Sequence, residues 1–277
     1  MPRCTSGGRA RRARPRLGRN LFGVTTISVV IPARNDAEML AACLEALARQ
    51  TRPADEIVVV DNGSTDTTAL VARTAGARVV EEPEPGIPQA ASAGYDAATG
   101  ELIARLDADS IPPSDWLEHA VERFEQDAGI AVLTGIGDFY GATPLVHTLG
   151  RVIYLGGMLV ALTPYLGHPP IFGSNFVMRR EVWAELAPEV HRHQREIHDD
   201  LDLSLHIKPW MRVVYDSRFR VQVSARPFAT FSGLRRRVSW VVPTLRNHWP
   251  EDSPWARRRT RSRWRAAQRP PLRMPRG

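Results

Sequence analysis

Residues 56–66 read Glu56-Ile57-Val58-Val59-Val60-Asp61-Asn62-Gly63-Ser64-Thr65-Asp66. The near-continuous apolar run over Glu56–Val60 has the pattern of a strand covered on both faces, as in parallel sheets. It passes at once into a polar turn, where Ser64–Asp66 is predicted to cap a helix reaching about Ala75. Upstream, Ile27-Ser28-Val29-Val30-Ile31 repeats the pattern as a buried strand ended by Pro32. Asn35 and Glu38 stand at capping-box spacing and predict a helix to about Gln50, with Leu40, Leu44 and Leu47 on one face. Downstream, a strand is expected over 77–81, an Ala-rich helix over 88–99 and a strand over Glu101–Leu106. A helix opened by Pro113 then runs to about Asp127, and a strand covers Ile130–Thr134. This alternation implies an α/β chain with a mostly parallel central sheet flanked by helices.

After residue 135 the pattern loosens. Leu145–Leu162 is strongly apolar, broken by His147 and Arg151. The stretch Val152–Gly167, without ionisable side chains apart from Tyr, is shorter than a membrane span and interrupted by Gly and Pro, so a buried or interfacial helix is expected ahead of a membrane-surface helix or a true span. Strands are predicted over Asn175–Arg179, Met211–Tyr215 and Arg220–Val223, and a helix over Asp199–Ile207.

Charge is unevenly spread. The net +7 hides seven Arg and no acid in residues 1–20, and nine Arg against Glu251 and Asp252 in residues 251–277. The two ends carry +14, so residues 21–250 sum to −7. Residues 1–24 read as a basic, disordered head without the apolar run of a signal peptide. Residues 231–277 read as a basic helix and tail, partly disordered. Nothing between the ends is a recognised nucleic-acid reading motif, so no specific nucleic acid is expected. The tail, with Arg235-Arg236-Arg237, Trp240 and Trp249, suits either a membrane surface or a helix packed on the domain. Two cysteines, Cys4 and Cys43, are too few for a disulfide framework.

Chemistry concentrates where strands end, the edge at which open α/β sheets bind ligands. Arg34 follows the first strand, Asp61 the second, and Asp107-Ala108-Asp109 the fourth. Two carboxylates one residue apart can share a hard cation, or simply make a turn. Asp61 can accept from a ribose hydroxyl or a base N–H, and Ser64 or Asp66 can serve as a cap. His198-Asp199-Asp200-Leu201-Asp202 offers either a general base or an acidic first turn favoured by the helix dipole.

Taken together, these stretches resemble the family 2 glycosyltransferases of the GT-A (nucleotide-diphospho-sugar transferase) fold. The matching pieces are Val29–Asn35, Glu56–Asp66, Ala98-Thr99-Gly100-Glu101, Leu106–Asp109, Gly173-Ser174-Asn175 and Asp199–Leu203. The resemblance covers roughly residues 26–225. It implies an enzyme that moves a sugar from a nucleotide-diphosphate sugar to an acceptor hydroxyl with inversion, using Mg²⁺ or Mn²⁺. It implies a domain over 25–230, with a nucleotide-binding half at 25–135 and an acceptor half at 136–230. Pro32, Arg34 and Asp61 then correspond to the nucleoside pocket. Asp109 corresponds to the metal ligand, and Asp107 to a partner of metal or ribose. Gly173, Ser174 and Asn175 correspond to the loop lining the donor sugar. Asp200 corresponds to the catalytic base, with Asp199 and Asp202 as an acidic cluster on the acceptor side that raises its pKa.

The donor base (UDP, GDP or dTDP) and a saccharide or lipid-linked acceptor stay open, as does a cytoplasmic location at the inner face of the membrane. The Gln-x-x-Arg-Trp signature of processive synthases is missing, so a single addition is expected. Ala91-Ser92 stands where the family often has Arg-Asn, which leaves a degenerate sugar-binding module as the alternative.

Overall fold

The computed structural model describes residues 25–141, 156–226 and 231–268. One sheet of eight strands runs in the order β3-β2-β1-β4-β7-β6-β8-β5. Its strands are β1 (Ile27–Ala33), β2 (Glu56–Asp61), β3 (Arg78–Glu81), β4 (Leu102–Arg105), β5 (Ser110–Ile111), β6 (Ile130–Tyr140), β7 (Phe176–Arg179) and β8 (Arg212–Ser224). β1, β2, β3 and β4 pair in parallel, as expected from their apolar runs. β7 then enters antiparallel between β4 and β6, and β5 pairs antiparallel with β8. The sheet is therefore mixed, with a parallel nucleus.

Helices α1 (Ala37–Ala48), α2 (Thr68–Thr74) and α4 (Trp116–Gln126) cover one face; α3 (Ile87–Ala97), α6 (Arg180–Leu186) and α7 (Asp199–His206) cover the other. The run Val58-Val59-Val60 feeds both layers: Val59 packs into the first core, Val58 and Val60 into the second. A strand buried on both sides needs this unbroken apolarity. α3 lies so close to the sheet that a Cβ on Gly94 would stand 2.3 Å from Cγ1 of Val30.

Three expectations shift. Asn35 does not cap α1, because its own backbone is left-handed (φ 51°) and the helix starts at Ala37. Met211–Tyr215 and Arg220–Val223 are parts of the single strand β8. The register against β6 jumps from Thr134↔Tyr215 to Ile136↔Arg220, so Asp216–Phe219 bulge without breaking the ladder. The apolar segment 145–162 falls partly outside the described residues. Its described end lies in α5 (Gly157–Leu166), whose Leu162, Tyr165 and Leu166 pack with Leu201 and Leu205 of α7.

α8 (Phe231–Asn247) and α9 (Pro254–Gln268) follow, and Val241 and Leu245 of α8 join the same cluster on α7. The buried guanidinium of Arg257 donates to the carbonyl oxygens of Leu166, Ser204 and Leu205 and pairs with Asp252. Trp240 meets His198 edge-on, while Trp249 is exposed. Among the described residues no helix is long and apolar enough to cross a membrane. Residues 1–24, read as a disordered head, and residues 269–277 of the basic helix and tail lie outside the described residues.

The Ala98–Glu101 stretch has a structural role. Glu56 at the start of β2 accepts from Ser28 Oγ (2.6 Å), from the Thr99 amide and hydroxyl (both 3.0 Å) and from Arg78. The Gly100 amide returns to Ser28 Oγ (2.9 Å). Burial alone would raise the Glu56 pKa, but these donors outweigh it and lower it to about 2. A depressed carboxylate contributes stability above its unfolded pKa and loses it as pH falls toward the folded one. Glu56→Gln is therefore expected to cost roughly 1–3 kcal/mol in urea unfolding at neutral pH. The gap to wild type should close as pH falls from about 4.5 to about 2. A gap unchanged at low pH would contradict the assignment.

Candidate functional site

The carboxyl ends of β1, β2 and β4 open onto one edge, and two loops there are laced together. The amide of Asn35 donates to Ser64 Oγ (3.0 Å), while Asn35 Oδ1 accepts from the Thr65 amide (2.7 Å). The first amides of α1 find partners across the gap: Asp36 N–H on Thr68 Oγ1 (3.1 Å) and Ala37 N–H on Asp66 Oδ2 (3.3 Å). Orphan donors of a helix start are thus satisfied by the neighbouring loop rather than by a local cap. Pro32 and Asp61 are half-buried at this edge and Arg34 is exposed. Asp61 Oδ1 accepts from the Ser64 amide (3.1 Å). Buried Asn62, which sequence reasoning passed over, ties in the next loop by donating to the carbonyls of Glu82 and Glu84 and accepting from the Gly86 amide (2.7–2.9 Å).

The centre of the site is Arg105, also missed. It ends β4 with 2% of its surface exposed. One guanidinium nitrogen donates to Asp107 Oδ1 (2.8 Å); the other donates to Asp199 Oδ2 (2.7 Å) and to Tyr95 Oη (2.9 Å). Burial would weaken its proton, but the facing Tyr95, Asp199 and Asp107 keep it firmly charged. The sequence signal was a cation at the end of an otherwise apolar strand, directly before the acidic pair. Ser174 Oγ donates to the second oxygen of Asp107 (2.5 Å). The carbonyl of Asp109 accepts from Tyr140 (2.9 Å), and its Oδ2 lies 3.7 Å from Arg226, which also pairs with Asp36 (2.7 Å).

The three acids of α7 take different hydrogen-bond partners. Asp199 faces Arg105. Asp200, half-buried, accepts from the amides of Gly173 (3.1 Å) and Leu201 (2.8 Å). A Cβ on Gly173 would stand 3.1 Å from Asp200 Oδ2, so glycine is what lets the loop close on this carboxylate. Burial first, then the charge of Asp199, raises the Asp200 pKa, against a smaller opposing effect of His198. Asp202 points the other way, into a buried group of histidines, because residues two apart on a helix lie on nearly opposite faces. Three residues from Asp199 on the helix, Asp202 also lines with it the pocket beside Ala91 and Ser92.

Asn175 also departs from the reading of its motif. It is fully buried, accepting from Trp116 Nε1 (2.9 Å) and donating to the carbonyls of Phe219 (2.8 Å) and Ile136 (3.2 Å). With its amide spent on the scaffold it does not line the site. Ala91 and Ser92 are buried beside a narrow pocket that also reaches Tyr95, Trp183 and Asp199.

Arg105→Met would leave two facing carboxylates without their cation. A loss of about 3–5 kcal/mol is expected in chemical denaturation. Arg105→Lys should recover only part of it, since one ammonium cannot reproduce the fork. Wild-type stability in Arg105→Met would contradict this role.

The family model "Glycosyl transferase family 2" matches residues 28–186. The chain is 34% identical over 121 residues to glycosyltransferase AglE of Haloferax volcanii, covering 41% of this chain and 40% of that one. It is 37% identical over 97 residues to the glucosyl-3-phosphoglycerate synthase of Mycolicibacterium smegmatis, 32% of each. The chain thus matches less than half the length of these curated relatives. The crystal structure of the Mycobacterium tuberculosis glucosyl-3-phosphoglycerate synthase, in complex with Mn²⁺, UDP and phosphoglyceric acid, shares the fold. Its TM-score is 0.58 at 24% identity, over 80% of this chain and 77% of that one.

Proposed function

Because the chain belongs to glycosyl transferase family 2, we propose that it moves a sugar from a nucleoside diphosphate sugar to an acceptor hydroxyl, in a single addition with inversion. The observation that carries this is the Arg105 bridge. It holds the start of α7, with Asp200, against the acidic pair at the end of β4.

The acids fit a hard divalent cation. They offer only oxygen ligands, two carboxylates one residue apart at a strand end. Both oxygens of Asp107 are engaged by Arg105 and Ser174, so Asp109 would be the ligand and Asp107 would steady its neighbourhood. Bound there, Mg²⁺ or Mn²⁺ would stabilise the charge that develops on the departing diphosphate. The solved relative in complex with Mn²⁺ and UDP supports this choice and makes UDP the first nucleotide to test.

The chain's own residues do the rest. Asp61, Pro32 and Arg34 hold the nucleoside at the β1–β2 edge. Arg226, more than half exposed, is placed to meet a phosphate. Asp200 accepts the proton of the acceptor hydroxyl as that oxygen attacks the anomeric carbon and the bond to the diphosphate breaks. A single base without a second nucleophilic carboxylate gives inversion, by analogy with glycoside hydrolysis. The raised pKa of Asp200 makes it a stronger base than an ordinary aspartate.

UDP with Mn²⁺ is expected to raise the melting temperature of wild type and of Asp200→Asn, and not of Asp109→Ala. Asp200→Asn should lose at least about 100-fold in turnover. Because the base works only when deprotonated, wild-type turnover should rise with pH through a limb above the ordinary aspartate range near 3.9. No metal-dependent shift with UDP, GDP or dTDP would overturn the proposal.

A further inference from the structure

We propose that the chain holds a structural zinc ion, apart from any cation at Asp109, bound by His191, Asp202, His206 and His248. The four come from three segments: the turn before α7, α7 itself, and the turn between α8 and α9. Asp202 and His206 stand four apart on α7, hence on one face. One ligand atom from each of the four lies within 4.8 Å of all the others. Asp202 Oδ1 is 2.7 Å from His191 Nδ1 and 2.8 Å from His248 Nε2. A tetrahedral zinc with bonds of about 2.0–2.2 Å sets its ligands about 3.3–3.6 Å apart, so small ring rotations complete the site.

The surroundings are those of a metal site. The side chains of Asp202, His206 and His248 are 4%, 8% and 2% exposed, and His191 closes the group at 28%. His248 Nδ1 meets Asp252 (3.1 Å), and Asp252 is held by Arg257 (3.1 Å). That bond directs Nε2 inward, the carboxylate–histidine–metal arrangement that orients ligating imidazoles. The Nδ1 of His206 meets the carbonyl of Asp202 (2.8 Å), which fixes its ring as well.

Without a metal, two ring nitrogens converge on one buried carboxylate oxygen. A divalent ion placed among them would give the carboxylate oxygen and the ring nitrogens one common partner. Three imidazoles and one carboxylate select zinc over magnesium or manganese, and four protein ligands make a closed, structural site. Its effect is to pin the α8–α9 segment to the helix that presents Asp199 and Asp200.

The test uses the full untagged chain. Elemental analysis should find about one zinc per molecule, retained in Asp109→Ala and absent from His248→Ala. Chelator-stripped wild type should bind Co²⁺ with the intense visible bands of a tetrahedral site, and zinc should displace them. Asp252→Asn, which leaves all four ligands in place, should weaken zinc affinity about 10–100-fold. The inference fails if stripped wild type shows no tetrahedral cobalt spectrum and takes up no zinc. It fails equally if zinc survives in His248→Ala, or disappears in Asp109→Ala. Should His248→Ala not fold, the wild-type cobalt spectrum and the Asp252→Asn affinity decide.

Discussion

A single buried guanidinium joins parts of the chain 94 residues apart. Arg105 cannot leave the core of the sheet without abandoning β4, and it cannot stay there unpaired, because an isolated charge is too costly to bury. Its fork is satisfied by Asp107 two residues on and by Asp199 at the first turn of α7. That requirement fixes where α7 begins. It therefore fixes where Asp200 points, onto the Gly173 amide and toward the edge where the parallel strands end. Arg105 and Arg226 do not neutralise Asp36, Asp107, Asp109, Asp199 and Asp200. The edge keeps a net negative charge, which suits a divalent cation and repels a bare diphosphate that arrives without one.

The rest of the architecture can be followed from this constraint. The parallel nucleus β3-β2-β1-β4 delivers Asp61, Arg34 and the acidic pair to one edge, as a doubly wound sheet does. β7 then inserts antiparallel beside β4, so the Gly173–Ser174 loop arrives at the same edge from the opposite direction. Behind α7, α5 and the α8–α9 segment close a third apolar cluster, and the Asp202–histidine group lies on that side. The acids of α7 thus differ in partner: Asp199 meets Arg105, Asp200 the Gly173 amide, and Asp202 the histidines.

Much of this was legible in the residues. The runs Ile27–Ile31 and Glu56–Val60 read as doubly covered strands because strand burial on both faces leaves no room for alternation. The acidic residues at strand ends read as a site because sheet edges collect ligands. What failed did so for local reasons. Asn35 matched a capping box in spacing, but its backbone turned left-handed and its side chain reached across to Thr65. The β8 bulge looked like a strand break, since a register jump leaves the same polar gap as a turn. Asn175 sat in a motif of site residues, yet its amide was needed by Trp116 and two carbonyls. Asp202 read only as a member of an acidic cluster, because its histidine partners lie on other segments. His191 and His248 could not be joined to it at all, since contacts 11 and 46 residues apart leave no local trace.

The Arg105 bridge is tested most directly by a double-mutant cycle on Asp107→Asn and Asp199→Asn, read as unfolding free energy in denaturant. Two carboxylates sharing one buried cation must be coupled, so the double variant should depart from the sum of the singles by about 1 kcal/mol or more. Strict additivity, within about 0.3–0.5 kcal/mol, would mean that Arg105 does not join the two halves of the site.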